Sequence, residues 1–193
     1  MKLTATLPIL AEDPALPAAM LALGAGGELE IVAPGGTRAP VLATMLGADR
    51  PRPLVIVTAT TRDADELASA LRSFVPTDDV AVLPAWETLP HERLSPRSDT
   101  VARRLAVLRR LAHPELDVAA TGERPDGAAR AQAGPIRALV VPVRALLQPV
   151  VAGLGDLEPV SARSGEARSM ESLVAALVAA AYTRVDMVEK RGD

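Results

Sequence analysis

Short apolar runs rich in β-branched residues alternate along this chain with stretches whose apolar positions recur at helical spacing. Glu28-Leu29-Glu30-Ile31-Val32-Ala33 predicts a first strand, followed by a Pro34-Gly35-Gly36 turn. Leu54-Val55-Ile56-Val57-Thr58 is near-continuously apolar, the pattern of a strand buried on both faces. Asp79 to Leu83 predicts a third strand, and Ala138-Leu139-Val140-Val141 a fourth. Between them the period lengthens. Asp63 to Phe74 opens with Asp63 and Glu66 as a capping-box-like pair and sets Leu67, Ala70, Leu71 and Phe74 on one face. A second helix, capped by Ser98 or Asp99, turns Val101, Leu105, Leu108 and Leu111 inward. Its arginines, Arg103, Arg104, Arg109 and Arg110, fall largely on the other side. Strands alternating with helices of this length need crossover connections, so the pattern predicts a three-layer α/β domain with a mainly parallel sheet.

The rhythm breaks between His113 and Pro135, where Gly, Ala and charged residues follow no sustained period; a mobile surface insertion is expected over 113–135. After Gln148-Pro149 the pattern changes again. A loop with Gly153 and Gly155 precedes a short strand near Glu158 to Ala162, and a helix follows Ser169. Tyr182 to Glu189 alternates like a half-exposed strand. These features divide the chain into an α/β domain over 1–150 and the start of a small α+β domain over 151–193, which ends where a partner strand is expected.

Composition narrows the classes of function. At 193 residues and 49% hydrophobic, the chain can bury a proper core. Aromatics make up 2%, which argues against single-strand nucleic-acid readers built on stacking platforms. A net charge of -3 gives no overall steering toward DNA. The absence of cysteine excludes disulfides and thiolate-bound zinc, and fits a cytoplasmic location. Residues 1–10 resemble a signal peptide only faintly, since the apolar stretch is short and runs into Glu12 and Asp13. The longest apolar run, Leu173 to Tyr182, is about half a membrane span. No membrane role is expected.

Chemistry has one obvious place to reside, the first strand-turn-helix. A phosphate loop needs glycines whose N–H groups face phosphate, a Lys for the terminal phosphates and a Ser or Thr for magnesium. The turn here carries Gly35, Gly36, Thr37 and Arg38, then Pro40, with no Lys-Ser/Thr pair. The Leu54–Val57 run ends in Thr58-Ala59-Thr60-Thr61, where a Walker B carboxylate would stand. The turn is therefore read as a degenerate phosphate loop, without catalytic residues, metal ligands or a cofactor. His91 and His113 have no triad-like arrangement, His91 reads as a surface loop residue, and the arginines of the second helix read as a solvated face.

One segment is not generic: Leu83-Pro84-Ala85-Trp86-Glu87-Thr88-Leu89-Pro90-His91-Glu92-Arg93-Leu94-Ser95-Pro96, with Asp99, Arg104-Leu105 and Leu108 behind it. It resembles the strand-loop-helix of transcription-repair coupling factors, the Mfd family. Val140-Val141-Pro142-Val143 with Leu146-Leu147-Gln148 is similar too, as is Tyr182-Thr183-Arg184-Val185-Asp186 with Val188 and Gly192. The resemblance runs from about residue 54 onward, and residues 1–50 match in pattern only. It implies an amino-terminal region like the excision-repair subunit UvrB: a P-loop-NTPase-like first domain that has lost its nucleotide site, then a small domain that binds UvrA. The full-length family protein is implied to be an ATP-driven DNA translocase that displaces stalled RNA polymerase. Its polymerase and DNA contacts belong to domains outside this chain, whose partners are UvrA and those other domains. Tyr182, Arg184, Asp186 and Arg191 would border the UvrA-contacting surface. The competing readings are a nucleotide-dependent UvrB- or helicase-type enzyme with an atypical phosphate loop, and a plain structural α/β domain.

Overall fold

Three of the four strands predicted within residues 1–150 form one parallel sheet: Leu54–Thr58 (β1), Val80–Val82 (β2) and Ala138–Pro142 (β3), in the order β1-β3-β2. The computed structural model describes residues 3–47, 52–88, 96–115, 134–157, 160, 165–180, 182 and 184–187. Seven helices accompany the strands among the described residues: Leu7–Ala11 (α1), Ala15–Gly24 (α2), Arg38–Leu46 (α3), Thr61–Leu71 (α4), Ser98–Ala112 (α5), Val143–Leu147 (α6) and Met170–Ala179 (α7). β3 is central, pairing Leu54↔Ala138 through Thr58↔Pro142 on one side and Val80↔Ala138 through Val82↔Val140 on the other.

This strand order decides where the helices go. The chain steps from β1 past the central position to β2, then reverses to β3. Right-handed crossovers put successive helices on opposite faces when the direction of travel reverses. Accordingly, α3 and α4 cover one face through Ala39, Ala43, Leu46, Ala64, Leu67, Ala68 and Leu71, packed with Val80, Val82, Ala138 and Val140. The other face holds Ala81, Leu83, Leu139 and Val141 against Val107 of α5 and Ala145 of α6. The result is α/β with helices on both faces of a small parallel sheet.

Four expectations need correction. The Glu28–Ala33 run has no regular structure and stays exposed, Val32 at 90%. Strand propensity alone holds nothing without a ladder to join. β1 is buried on one face only. Leu54 and Ile56 pack on the α3–α4 cluster, whereas Val55 and Val57 are each 50% exposed, since the helices of the opposite face stand over β2 and β3. α4 starts at Thr61, two residues before Asp63: Thr60 is the N-cap, with a capping box between Thr60 and Asp63. On α5, Arg104 and Arg110 are both buried, contrary to a solvated arginine face.

Beyond β3 the described chain is thinly packed. Ser169 caps α7 by accepting from the Ser172 backbone N–H, as its sequence implies, yet no residue of α7 is buried. The described residues of the Tyr182–Glu189 run, 182 and 184–187, carry no strand. Residues 116–133 of the expected insertion, and 158–159 and 161–162 of the strand expected near 158–162, lie outside the described residues. No single described helix is long and apolar enough to cross a membrane; α1 with its preceding turn and α2 reach that length only as a pair bent by 86°.

Candidate functional site

The glycine turn is built by local rules. Gly35–Thr37 makes one 3-10 turn that runs directly into α3. Thr37 Oγ1 donates to the Pro34 carbonyl at 2.6 Å, so the hydroxyl that would serve a metal in a phosphate loop is engaged within the turn. Neither glycine takes a left-handed conformation, and a Cβ on either would meet nothing within 4 Å. The turn therefore does not need glycine for its shape. Arg38, the first residue of α3, is exposed, and Pro40 lies in the first turn, where its missing N–H costs nothing. No strand feeds this turn, because the preceding segment is irregular.

The Trp86 segment is held far more tightly. Leu83 N–H donates to the Val140 carbonyl at 3.0 Å, extending the sheet one residue past β2. Trp86 N–H then donates to Gln148 Oε1 at 2.8 Å, and Gln148 Nε2 donates back to the Trp86 carbonyl at 3.3 Å. One side-chain amide thus imitates a strand partner and ties the loop after β2 to the segment after α6. From the other side, the Arg104 guanidinium lies over the Trp86 ring, 4.4 Å from its centroid, and Arg104 Nη1 donates to the Pro84 carbonyl at 2.6 Å. Burial lowers the Arg104 pKa from its ordinary value.

Glu87 closes the base of the loop. Its Oε1 accepts a short hydrogen bond from Thr100 Oγ1 on α5. Burial pushes the Glu87 carboxyl up; hydrogen bonds from Thr100 and from the Glu87 and Arg97 backbone, together with the Arg97 charge, outweigh it and hold the group below the usual carboxylate range. Thr88 and Pro96 are half-buried. Leu89, Pro90, His91 and Ser95 lie outside the described residues.

At the opposite end of the sheet Arg110 performs the same service. Its Nε donates to the Gly134 carbonyl at 3.0 Å and its Nη2 to Pro135 at 3.1 Å, with a further short bond to the Asp78 carbonyl. Two buried arginines on α5 thus fasten the loop leaving β2 and the loops entering β2 and β3. Elements with these contacts position a loop; among the described residues no group of His, Asp and Glu is arranged to hold a metal.

No family model matches the sequence. The transcription-repair-coupling factors of Mycobacterium bovis and Mycobacterium tuberculosis are each 43% identical to it over 173 residues, 88% of this chain and 13% of theirs. The chain belongs to the transcription-repair-coupling factor family. It spans 13% of the length of these relatives.

Within this member of the transcription-repair-coupling factor family, the other candidate residues lie near the end of the sequence. Tyr182, Arg184 and Asp186 follow α7 and are exposed, and Tyr182 N–H closes the helix end on the Leu177 carbonyl at 3.0 Å. Arg191 lies outside the described residues. Sequence reasoning placed Trp86, Glu87 and Gln148 in family-like strings and missed that Gln148 binds Trp86. It also missed Thr100, and it turned Arg104 the wrong way. A signal for Arg104 was available, in that an arginine facing a lone tryptophan across a strand-loop-helix has a ring to stack on.

Proposed function

We propose that this chain is the amino-terminal, non-catalytic module of a transcription-repair-coupling factor, and that it serves recruitment of UvrA and regulation in transcription-coupled nucleotide excision repair. The observation that carries the reading is the 43% identity across 88% of the chain. The turn at Gly35–Arg38 supports its non-catalytic half: it has no lysine, its Thr37 hydroxyl is bound locally, and its glycines form no cradle. In this reading residues 1–150 are a P-loop-NTPase-like domain with a degenerate phosphate loop. Residues 151–193 open a small UvrA-interaction domain, with Tyr182, Arg184, Asp186 and Arg191 bordering the contact surface. ATP-driven translocation on DNA and displacement of RNA polymerase belong to other domains of the full-length factor. The module works in the cytoplasm without a cofactor of its own.

Calorimetric titration of the chain with purified UvrA, at moderate salt and without nucleotide, tests this. Saturable binding at micromolar affinity or tighter is expected. An absence of binding heat, from a chain that still melts cooperatively, overturns the recruitment role for these residues.

A further inference from the structure

β1 has one bare side. Among the described residues it pairs only with β3, in a parallel register from Leu54↔Ala138 to Thr58↔Pro142. Leu54 N–H donates to the Arg137 carbonyl at 2.8 Å, so Leu54, Ile56 and Thr58 turn their backbone groups toward β3. Those of Val55 and Val57 point the other way, off the edge of the sheet. A row of this kind is a template for another strand.

Handedness says what belongs there. α3 and α4 lie on one face, in a single cluster with Leu54 and Ile56 of β1. The crossover through α4 carries the chain from β1 past β3 to β2. Parallel crossovers share one hand, so a strand joined to β1 through α3, on that same face, lies on the opposite side of β1, at the bare edge. The run that precedes α3 is Glu28–Ala33. Pro34–Thr37 leads from it directly into α3, so Ala33 is tethered to a helix already seated on β1. Standing before a proline, Ala33 is also biased to extended backbone. In the structure the run is irregular and exposed.

We propose that Glu28–Ala33 is a strap that closes on the bare edge of β1 as a parallel strand, giving the order strap-β1-β3-β2. With Ala33 level with Thr58, Leu29 and Ile31 fall under α3 beside Leu54 and Ile56. Glu28, Glu30 and Val32 fall on the other face, where Val55 and Val57 are half exposed because no helix covers them. Apolar side chains thus go beneath the helix and both carboxylates go to water, the alternation that a sheet covered on one face requires. Closed, the strap removes the open edge; open, it leaves β1 available to a strand of another chain. The proposal does not depend on UvrA binding.

The chain has no cysteine, so disulfide trapping can be done in the intact protein. Val32→Cys with Val57→Cys joins two exposed positions that the closed strap sets side by side. Val32→Cys with Asp99→Cys, on α5 and the opposite face, is the control. The first pair is expected to form its intramolecular disulfide about tenfold faster than the second. Hydrogen exchange is measured in parallel, because Ile31→Pro removes a donor from the strap. In that variant the Val55 and Val57 amides should exchange about tenfold faster than in the native chain, with Val140 unchanged. Equal disulfide rates in the two pairs overturn the proposal. So do Val55 and Val57 amides that exchange alike in the native chain and in Ile31→Pro, since the edge would then be bare in both.

Discussion

A guanidinium at 2% exposure, as Arg104 is, keeps its charge and must be solvated by something other than water. Here the solvation comes from the face of Trp86 and the carbonyl of Pro84. Truncation removes both and leaves a buried carbonyl unpaired. Arg104→Ala should cost about 3 kcal/mol of unfolding free energy in urea titration and shift Trp86 emission to the red. Arg104→Lys should recover less than half of that loss, because an ammonium cannot lie flat on the ring while bonding Pro84. Glu87 adds a pH dependence. Its folded pKa lies below the unfolded value, so its contribution is present above about pH 4.3 and fades as pH falls through the folded value. The melting-temperature gap between the native chain and Glu87→Gln should therefore be full at neutral pH and shrink as the pH falls through the folded value, which lies below the ordinary carboxylate range.

At the scale of elements, what decides is which neighbour a strand or helix finds. α4 forms where apolar periodicity and a capping box agree. β1 and β3 look alike as apolar runs, yet β3 lies between two strands and under helices on both faces, with Val140 at 0% exposure, while Val57 is at 50%. The two positions should respond differently to substitution. Val140→Ala is expected to cost about 2 kcal/mol, and Val57→Thr less than about 0.5 kcal/mol, by urea denaturation. Equal costs would mean that β1 carries a cover on its outer face.

Across the whole molecule, the reversal of direction between β2 and β3 is the organising event. It sends α5 to the face opposite α4 and so brings the Trp86 loop, the β3 entry and the 153–157 turn onto one helix. In the reading proposed above the Gly35–Arg38 turn binds no nucleotide. Millimolar magnesium–ATP should leave the melting temperature unchanged in differential scanning fluorimetry, whereas ligand at a hundred times its Kd would add about 2.7 kcal/mol. A specific rise with ATP favours the enzyme reading over the module proposed above.

The sequence by itself determined the α/β class, three strands, the presence of α4 and α5, the Ser169 cap of α7 and the Trp86-to-Pro96 string that resembles the family. It did not determine the cap of α4 at Thr60 or the start of α5 behind Arg97, where neither Ser98 nor Asp99 is the N-cap. The features it determined are local: apolar period, cap chemistry and residue order are written in consecutive positions. The tertiary structure decided the rest. Arg104 and Arg110 read as surface charges until the loops they serve, 20 to 32 residues away, are folded against them. Gly155 is one glycine among 13 until α5 lies beneath it. The run at 28–33 has strand-like residues but joins no ladder in this structure. Partners distant in sequence leave no periodic trace in it, so a buried cation, a close approach and a bare strand face become visible only once the sheet order has been set.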